Sequence, residues 1–378
     1  MTKHTPLYDI HEKLGASFTD FGGWEMPLKY QNELDEHRAV RGTAGLFDLS
    51  HMGEVRVKGA QAGEYLDYAM LSKYSSMKVG KAKYGLLIDE NGHLMDDLIT
   101  YRLAEDEYLI VPNASNTPAD VEAFTKRVDA FLAANPGADV TVTDESADTT
   151  LIAVQGPASE DILLSTQDSD EARNTIKELA YYAWAPLKVG GLDILLARTG
   201  YTGEDGFELY LPNAGAEELW NVLTEAGAKF DLVPAGLAAR DSLRLEAGMP
   251  LFGNELTNDI TPVEAGMGGM VAGALKNKTE FVGREALEKL DTSKVSRTLV
   301  GLSSSGRRAA RSGAEIKAGE KTVGTVTSGQ PSPTLGHPIA LAYVDVDQAE
   351  AGTELEADIR GKRYPFTVVE TPFYRRES

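Results

Sequence analysis

The chain of 378 residues contains no cysteine, and histidine is scarce, with six residues. Without a thiol, disulfide bonds, a thiolate nucleophile, an iron–sulfur cluster and thiolate-bound zinc are all excluded. No two histidines stand four residues apart, the spacing that places two imidazoles on one helix face to bind a metal. A metal site made of carboxylates alone has no motif to support it. We therefore expect chemistry that uses neither a thiol nor a bound metal.

Basic residues are also in deficit: 37 lysines and arginines face 58 aspartates and glutamates, a formal net charge of −21. A general nucleic-acid binder needs clustered basic residues against the phosphate backbone, and an anionic membrane surface would repel this chain. No apolar run is long enough to cross a membrane, and the first residues lack the apolar core of a secretory signal. The sequence predicts a cytoplasmic protein that binds neither nucleic acid nor membrane.

The first 60 residues predict two helices and a strand. Thr5 is placed to cap a helix that ends at Gly15, and a charged face marks a second helix over residues 31–41. Residues 22–27 (GGWEMP) are predicted to form a loop, because glycine and proline interrupt regular structure. Alternating apolar residues predict a strand over residues 52–58.

An antiparallel meander of three strands is predicted for residues 83–113. Its first turn contains an Asn-Gly pair at 91–92, which favours a tight hairpin. An amphipathic helix follows over residues 117–134, where apolar side chains recur with helical spacing.

The later part of the chain changes character near residue 290. Before that point, we expect a hairpin over residues 194–211 and helices over 214–228 and 237–247. After it, short β-patterned runs separated by Gly, Pro and Ser predict a small barrel. The charge changes as well, because residues 276–378 carry a net +2 and the preceding residues carry −23.

Two adjacent aspartates interrupt an apolar strand. Asp96 and Asp97 stand within the run LMDDLI, and neighbouring side chains of a strand point to opposite faces. One carboxylate must therefore face the covered side, where an unpaired charge is costly. An edge strand with both acids exposed to solvent, or an ion pair of one acid with an arginine, explains the two acids as well as a functional site does.

A glycine-rich turn precedes a third acidic residue of interest. Residues 200–206 (GYTGEDG) match neither a phosphate-binding loop nor a dinucleotide fingerprint, so we interpret the glycines as turn residues. Glu208 and Tyr210 then alternate with apolar residues, and Glu208 needs a hydrogen-bond donor if its face is covered. Arg240 and Arg244 stand one helical turn apart, a spacing that by itself selects no ligand.

Taken together, these segments resemble one family, the aminomethyltransferases (T-proteins) of the glycine cleavage system. The resemblance covers almost the whole chain in the family's order. Its most specific parts are the hairpin that begins at Gly200 (GYTGEDGFE) and the helix motif that begins at Gly236 (GLAARDSLRLEAG). The other matching stretches are TPLY at 5–8, FGGW at 21–24, LFDLSHM at 46–52, DDL at 96–98, QGP at 155–157, TPVE at 261–264, VTSG at 326–329 and SPTLG at 332–336.

This resemblance implies a folate enzyme. Members of the family take the aminomethyl group carried on the lipoyl arm of H-protein and release ammonia. The co-substrate tetrahydrofolate becomes 5,10-methylenetetrahydrofolate. The implied partner is therefore lipoylated H-protein, and the family suggests a monomer without a metal.

The fold implied by the family is α+β, with three domains around a central folate cavity. Two are mixed α/β domains with antiparallel sheets, and the C-terminal domain resembles a β-barrel. On this chain, residues 1–52 together with 142–275 would form the discontinuous folate-binding domain. Residues 53–141 would form the domain of the meander and its helix, and residues 276–378 the barrel.

Matched position by position, the resemblance implies one catalytic group and a folate pocket. Asp97 matches the catalytic aspartate, and Glu208 and Arg240 match folate contacts. The other positions that match the pocket lining are Met52, Tyr84, Val111, Asn113 and Tyr201.

The chemistry of the three polar residues fits these implied roles. A carboxylate such as Glu208 accepts two adjacent N–H donors, as a pterin edge presents them. Arg240 would meet a pterin oxygen or the glutamate carboxylate of the folate. We hypothesise that Asp97 orients the N5/N10 region and assists proton removal.

Two positions depart from the family pattern. Gly269 stands where members have a tryptophan after TPVE, so Met267 or Met270 would have to replace an aromatic wall. Tyr374 has no secure alignment with a tyrosine that some members use near folate, and it is left out of the expected site.

Two other functions compete with the transferase. A tetrahydrofolate-dependent demethylase of the same fold would share the folate pocket and differ in its donor entrance. A non-catalytic folate-binding protein is the alternative outside the enzymes. Its relatives that are linked to iron–sulfur maintenance carry a cysteine-containing motif, which a chain without cysteine cannot have.

Overall fold

A computed structural model describes residues 2–291 and 294–376 of the chain. In chain order, its α-helices are α1 (Tyr8–Lys13), α2 (Glu33–Gly42), α3 (Ala62–Ala69), α4 (Thr117–Ala134), α5 (Ser159–Ser165), α6 (Asp170–Glu178), α7 (Ala216–Gly227), α8 (Leu237–Glu246), α9 (Gly268–Asn277) and α10 (Arg284–Lys289). The β-strands of the first half are β1 (Ser17–Phe21), β2 (Trp24–Lys29), β3 (Gly45–Asp48), β4 (Val55–Lys58), β5 (Ala82–Ile88), β6 (Leu94–Ala104), β7 (Glu107–Val111), β8 (Thr141–Asp144) and β9 (Thr149–Gln155). Those of the second half are β10 (Trp184–Val189), β11 (Leu192–Ala197), β12 (Gly206–Pro212), β13 (Val233–Pro234), β14 (Arg297–Ser303), β15 (Glu315–Ala318), β16 (Lys321–Pro331), β17 (Pro338–Asp345), β18 (Glu354–Ile359) and β19 (Lys362–Val369).

The chain divides into two compact units. The first contains the residues up to Ala69, together with Tyr74–Gly85 and Leu98–Arg240, and the second contains Met70–Lys73, Leu86–Asp97 and the residues from Asp241 onward. The boundary passes through β5, β6 and α8. The three expected domains have other boundaries, and they stay a prediction.

A six-stranded sheet lies in the first unit, with the strand order β10-β11-β12-β9-β3-β13. Its strands pair in antiparallel fashion except β13, which runs parallel to β3. Apolar side chains on one face pack with α5 and α7: Phe207 of β12 and Trp220 of α7 belong to the same buried cluster. The expected hairpin over 194–211 and the helix over 214–228 are confirmed by β11, β12 and α7.

The predicted meander is confirmed by β5, β6 and β7, which lie in a five-stranded sheet with the order β5-β6-β7-β4-β8. Ile110 of β7 lies opposite Thr100 of β6 on one side and Val55 of β4 on the other. Gly92 in the first turn has a φ of +81°, which the Asn-Gly pair predicts. Helix α4 has the predicted bounds.

The second unit contains a closed barrel of six strands in the order β14-β17-β16-β15-β18-β19. Leu302, Val326 and Phe366 are among the buried side chains that pack inside it. A closed barrel has no open edge strand, so short runs separated by turns form a stable unit. Mixed sheets with helices plus a barrel confirm the predicted α+β fold class.

Two local predictions in the first unit are wrong. The hydroxyl of Thr5 does not cap α1, which begins only at Tyr8; it donates to Asp48 Oδ2 at 2.6 Å. Residues 22–27 are not a loop throughout, because Trp24 starts β2, which pairs with β1 in a two-stranded sheet. Pro27 is tolerated there, since each strand of a two-stranded sheet has an unpaired edge.

No helix in the described ranges is long and apolar enough to cross a membrane.

Candidate folate site

Glu208 is the buried centre of a hydrogen-bond cluster in the first unit. Alternation along β12 places its side chain on the face opposite the apolar cluster, and only 8% of it is exposed. Its Oε2 accepts hydrogen bonds from the hydroxyls of Thr199 at 2.5 Å, Tyr101 at 3.2 Å and Tyr210 at 3.4 Å. Oε1 accepts none of these three bonds. The expectation that a covered Glu208 needs donors is confirmed.

Burial governs the protonation of this cluster. Desolvation raises the pKa of Glu208, while the three hydroxyls and the charge of Arg240 act in the opposite direction. The pKa values of Tyr101 and Tyr210 are raised well above their ordinary range, first by burial and then by the Glu208 charge. Both phenols therefore stay protonated and keep donating.

The glycine-rich turn between β11 and β12 is held by Gln155 at the end of β9. Gln155 Nε2 donates to the carbonyl of Thr199 at 3.1 Å, and its Oε1 accepts from the hydroxyl of Thr202 at 2.9 Å. A Cβ atom at Gly200 or Gly206 would collide with the Gln155 side chain. A side chain at either glycine would therefore displace the Gln155 amide from these hydrogen bonds, which the prediction of a simple turn did not include.

Arg240 is positioned by the start of α8. The N–H of Gly236, one residue before α8, donates to Glu36 Oε2 at 2.9 Å, and Glu36 Oε1 accepts from the N–H of Tyr30 at 2.7 Å. One turn later, the Arg240 guanidinium lies over the Tyr201 ring, 4.6 Å from its centroid. This cation–π contact joins two of the sequence-predicted pocket residues.

A small cavity in the first unit brings these groups together. Its lining residues are Phe47, Leu49, Ala153, Gln155, Tyr201, Thr202, Glu208 and Arg240. Apolar side chains therefore form one part of the wall, and a carboxylate and a guanidinium form another. This combination of an apolar wall and a few converging polar groups is typical of small-molecule sites.

Three of the eight predicted site residues, Tyr201, Glu208 and Arg240, line this cavity, and the other five do not. The half-buried Met52 lies in the turn after β3, and its N–H donates to Leu49, a lining residue. The other three residues of the first unit occupy neighbouring elements: Tyr84 is half-buried on β5, Val111 ends β7, and Asn113 precedes α4.

The two aspartates of β6 differ in burial as alternation requires. Asp96 is fully buried and Asp97 is half-buried. Both belong to the second unit, so the placement of Asp97 relative to Glu208 stays a prediction. Gly269 is exposed in the first turn of α9, and the replacement of the family's tryptophan by Met267 or Met270 also stays a prediction.

Two family models together match most of the chain. The GCVT N-terminal domain model matches residues 7–274, and the glycine cleavage T-protein C-terminal barrel domain matches residues 297–375. The chain belongs to the glycine cleavage T-protein family.

Relatives of this family member match over almost their full length. An aminomethyltransferase from Corynebacterium aurimucosum is 54% identical and covers 99% of this chain and 98% of its own. One from Cutibacterium acnes is 52% identical and covers 99% of each chain. The crystal structure of glycine cleavage system aminomethyltransferase T from Bartonella henselae has a TM-score of 0.88 and 36% identity, over 99% of this chain and 98% of that one.

Several residues of the candidate site were not predicted from the sequence. Tyr101 and Thr199 carry no motif of their own, and their hydroxyls reach Glu208 only because β6 and the end of β11 approach it in the fold. His51 lies within a matching stretch, yet only its neighbour Met52 was assigned. Across the part of the chain that the structure describes, no three His, Asp or Glu side chains come together as metal ligands.

Glu54 is a second buried acid of this family member. The N–H of Gly53 donates to the carbonyl of Pro112, so the β4–β7 register continues and places Glu54 opposite Val111. The Glu54 side chain has no exposed area, and neither of its oxygens is hydrogen-bonded within the described residues. Burial, and then the charges of Asp144 and Glu145, raise its pKa well above the ordinary 4.5.

The Glu54→Gln variant is therefore expected to lose a pH dependence of stability. Because the folded state holds the proton more tightly than the unfolded state, stability falls as pH rises from 4.5 towards the folded pKa. Its contribution to the slope is about 1.4 kcal/mol per pH unit within that window. Urea unfolding at a series of pH values measures this slope. An unchanged slope in Glu54→Gln contradicts the prediction, and the exposed Glu90→Gln is the control.

Proposed function

We propose that this chain is a tetrahydrofolate-dependent aminomethyltransferase that acts on the aminomethyl-lipoyl arm of H-protein. The observation that carries the proposal is the cavity lined by Glu208, Arg240 and Tyr201, in a member of the glycine cleavage T-protein family. A cytoplasmic location, a monomeric state and the three-domain division are parts of the same proposal.

The cavity residues fit the pterin ring of a folate. The pterin edge presents adjacent N–H donors, and a carboxylate is the acceptor that matches them. Three hydroxyls fix Glu208 through Oε2, so its orientation is set before the ligand arrives. Arg240 is likewise held over Tyr201 and would meet an oxygen of the ligand. A preorganised site loses less entropy when the ligand binds.

The overall reaction balances without a thiol or an oxidant from the protein. The transferred carbon gives up its bonds to the lipoyl sulfur and to the amine, and it gains bonds to N5 and N10 of tetrahydrofolate. The two protons lost from these nitrogens appear on the lipoyl thiol and on ammonia. A chain without cysteine is sufficient for this chemistry, because no covalent enzyme intermediate is needed.

The protein's part in this reaction is to bind, orient and move protons. In the proposal, Glu208 and Arg240 hold the pterin, and Asp97 accepts a proton near the attacking nitrogen. Apolar wall residues such as Phe47 and Leu49 keep water away from the reactive carbon.

Incubation with aminomethylated H-protein and tetrahydrofolate tests the function directly. We expect stoichiometric ammonia and 5,10-methylenetetrahydrofolate, both absent when either substrate is left out. Absence of both products would overturn the proposal. If the chain instead demethylates a small methylated amine, sulfide or ether in the presence of tetrahydrofolate, the demethylase alternative replaces it.

Glu208→Gln is expected to weaken tetrahydrofolate binding by about 10- to 100-fold, because a charged hydrogen-bond acceptor is lost and an amide N–H₂ opposes the pterin donors. Titration calorimetry under anaerobic conditions measures the Kd. The matched control is Glu217→Gln, an exposed acid on α7. Equal affinities in the two variants would show that Glu208 does not contact the folate.

A further inference from the structure

His51 has a buried imidazole ring whose nitrogens form no hydrogen bond in the described part of the chain. It follows β3 by three residues, and only 1% of it is exposed. Its ring meets the ring of Phe21 edge-on, with centroids 5.4 Å apart. Within residues 2–291 and 294–376, neither Nδ1 nor Nε2 has a hydrogen-bond partner.

Another buried histidine in the same unit shows how the fold satisfies a structural imidazole. His11 has no exposed area, and both of its nitrogens are bonded, Nε2 to Asp48 at 2.9 Å and Nδ1 to the hydroxyl of Tyr30 at 2.9 Å. Buried polar atoms in native proteins nearly always have partners, since a missing hydrogen bond costs free energy. Two such atoms on one ring therefore call for an explanation outside the fold's own contacts.

His51 does not itself line the cavity, but the charge of Arg240, a lining residue, acts on its ring. Leu49, two residues before it, lines the cavity, and so does Arg240. Burial first, and then the positive charge of Arg240, lower the pKa of His51 to about 3, against the opposing effect of Asp48. The ring is therefore neutral at physiological pH, with one nitrogen as donor and the other as acceptor.

We propose that His51 is a binding residue that hydrogen-bonds the pterin ring beside Glu208 and Arg240. The inference rests on the proposed folate function and extends it to a third polar contact. A pterin presents alternating N–H groups, ring nitrogens and a carbonyl oxygen, which match a neutral donor–acceptor pair. An uncharged imidazole contributes little to an anionic glutamate tail, where a cation is the stronger partner.

Two variants and two ligands test this assignment. His51→Phe keeps a ring and removes both nitrogens, and it is expected to weaken binding of tetrahydrofolate by about tenfold, the equivalent of one net hydrogen bond. The same loss is expected for 6-methyltetrahydropterin, which has the ring without the tail. His51→Gln keeps a donor and an acceptor and should recover part of the affinity.

The control is Thr100→Val. Like the nitrogens of His51, the buried Thr100 hydroxyl has no hydrogen-bond partner in the described chain, and valine removes it. Alternation along β6 places Thr100 on the face opposite Tyr101, so folate affinity should not change. The inference is overturned if His51→Phe leaves both affinities unchanged. It is also overturned if this variant loses affinity for tetrahydrofolate but not for 6-methyltetrahydropterin.

A measurement on the wild-type chain covers the case in which a variant does not fold. With only six histidines, ¹⁵N-imidazole spectra are simple, and the His51 nitrogen resonances should shift when 6-methyltetrahydropterin is added. Absence of a shift at saturating ligand overturns the inference while leaving the proposed function intact. If the wild-type chain binds neither ligand, both fall.

Discussion

Asp97→Asn is expected to lower kcat by about 10²- to 10⁴-fold, the range that a positioned proton acceptor supplies. The amide has nearly the shape of the carboxylate, so the Kd for tetrahydrofolate should change little. Single-turnover release of ammonia from aminomethylated H-protein measures the chemical step, and calorimetry measures the Kd separately. Unchanged turnover would mean that this acid has a structural role.

Asp96→Asn is the matched control for this experiment. The two acids are neighbours on β6, but Asp96 is fully buried and Asp97 is half-buried, so only Asp97 is accessible to a substrate. We expect Asp96→Asn to lower the free energy of unfolding with a much smaller effect on kcat. A larger loss of turnover in Asp96→Asn than in Asp97→Asn would reverse the assignment.

Arg244→Met is expected to lower the free energy of unfolding of the second unit by about 3–5 kcal/mol, the typical cost of breaking a buried ion pair. Arg244 is 1% exposed, and its guanidinium hydrogen-bonds Asp241 at 2.8 Å, Glu255 at 2.9 Å and Ser328 at 2.7 Å. Removing it leaves the fully buried Glu255 carboxylate without its cation. Arg244, one helical turn after Arg240, therefore has a structural role that the spacing alone did not reveal.

Urea unfolding measures this loss, with the exposed Arg308→Met as the control. The double variant Arg244→Met, Glu255→Leu should recover much of the lost stability, because no buried charge then lacks a partner. A loss below about 1 kcal/mol in the single variant would place the pair with ordinary surface ion pairs.

The fold was most predictable where local sequence determines structure. The Asn-Gly turn predicted the meander, helical spacing predicted α4 with its bounds, and short alternating runs predicted the barrel. The errors arose where a distant partner decided the outcome. Thr5 is a good helix cap by type, but Asp48 lies close enough in the fold to take its hydroxyl.

The candidate site was predictable only in part, for the same reason. Alternation indicated that Glu208 would need donors, and the family resemblance selected Arg240 and Tyr201. Nothing local identifies Tyr101, which stands 107 residues before Glu208 and reaches it only across two sheets. The nitrogens of His51 carry no sequence signal either, because an unused imidazole is visible only once its surroundings are known.

The Glu36 carboxylate has a consequence for the order of events during synthesis. It binds the N–H groups of Tyr30 and Gly236, and the second of these is 200 residues further along the chain. Contacts of such high sequence separation form slowly, since a long loop must close first. A nascent chain that has emerged only as far as β12 already has Glu208 but cannot place Arg240. The candidate cavity is therefore completed late on the ribosome, after the residues that form the rest of its lining have emerged.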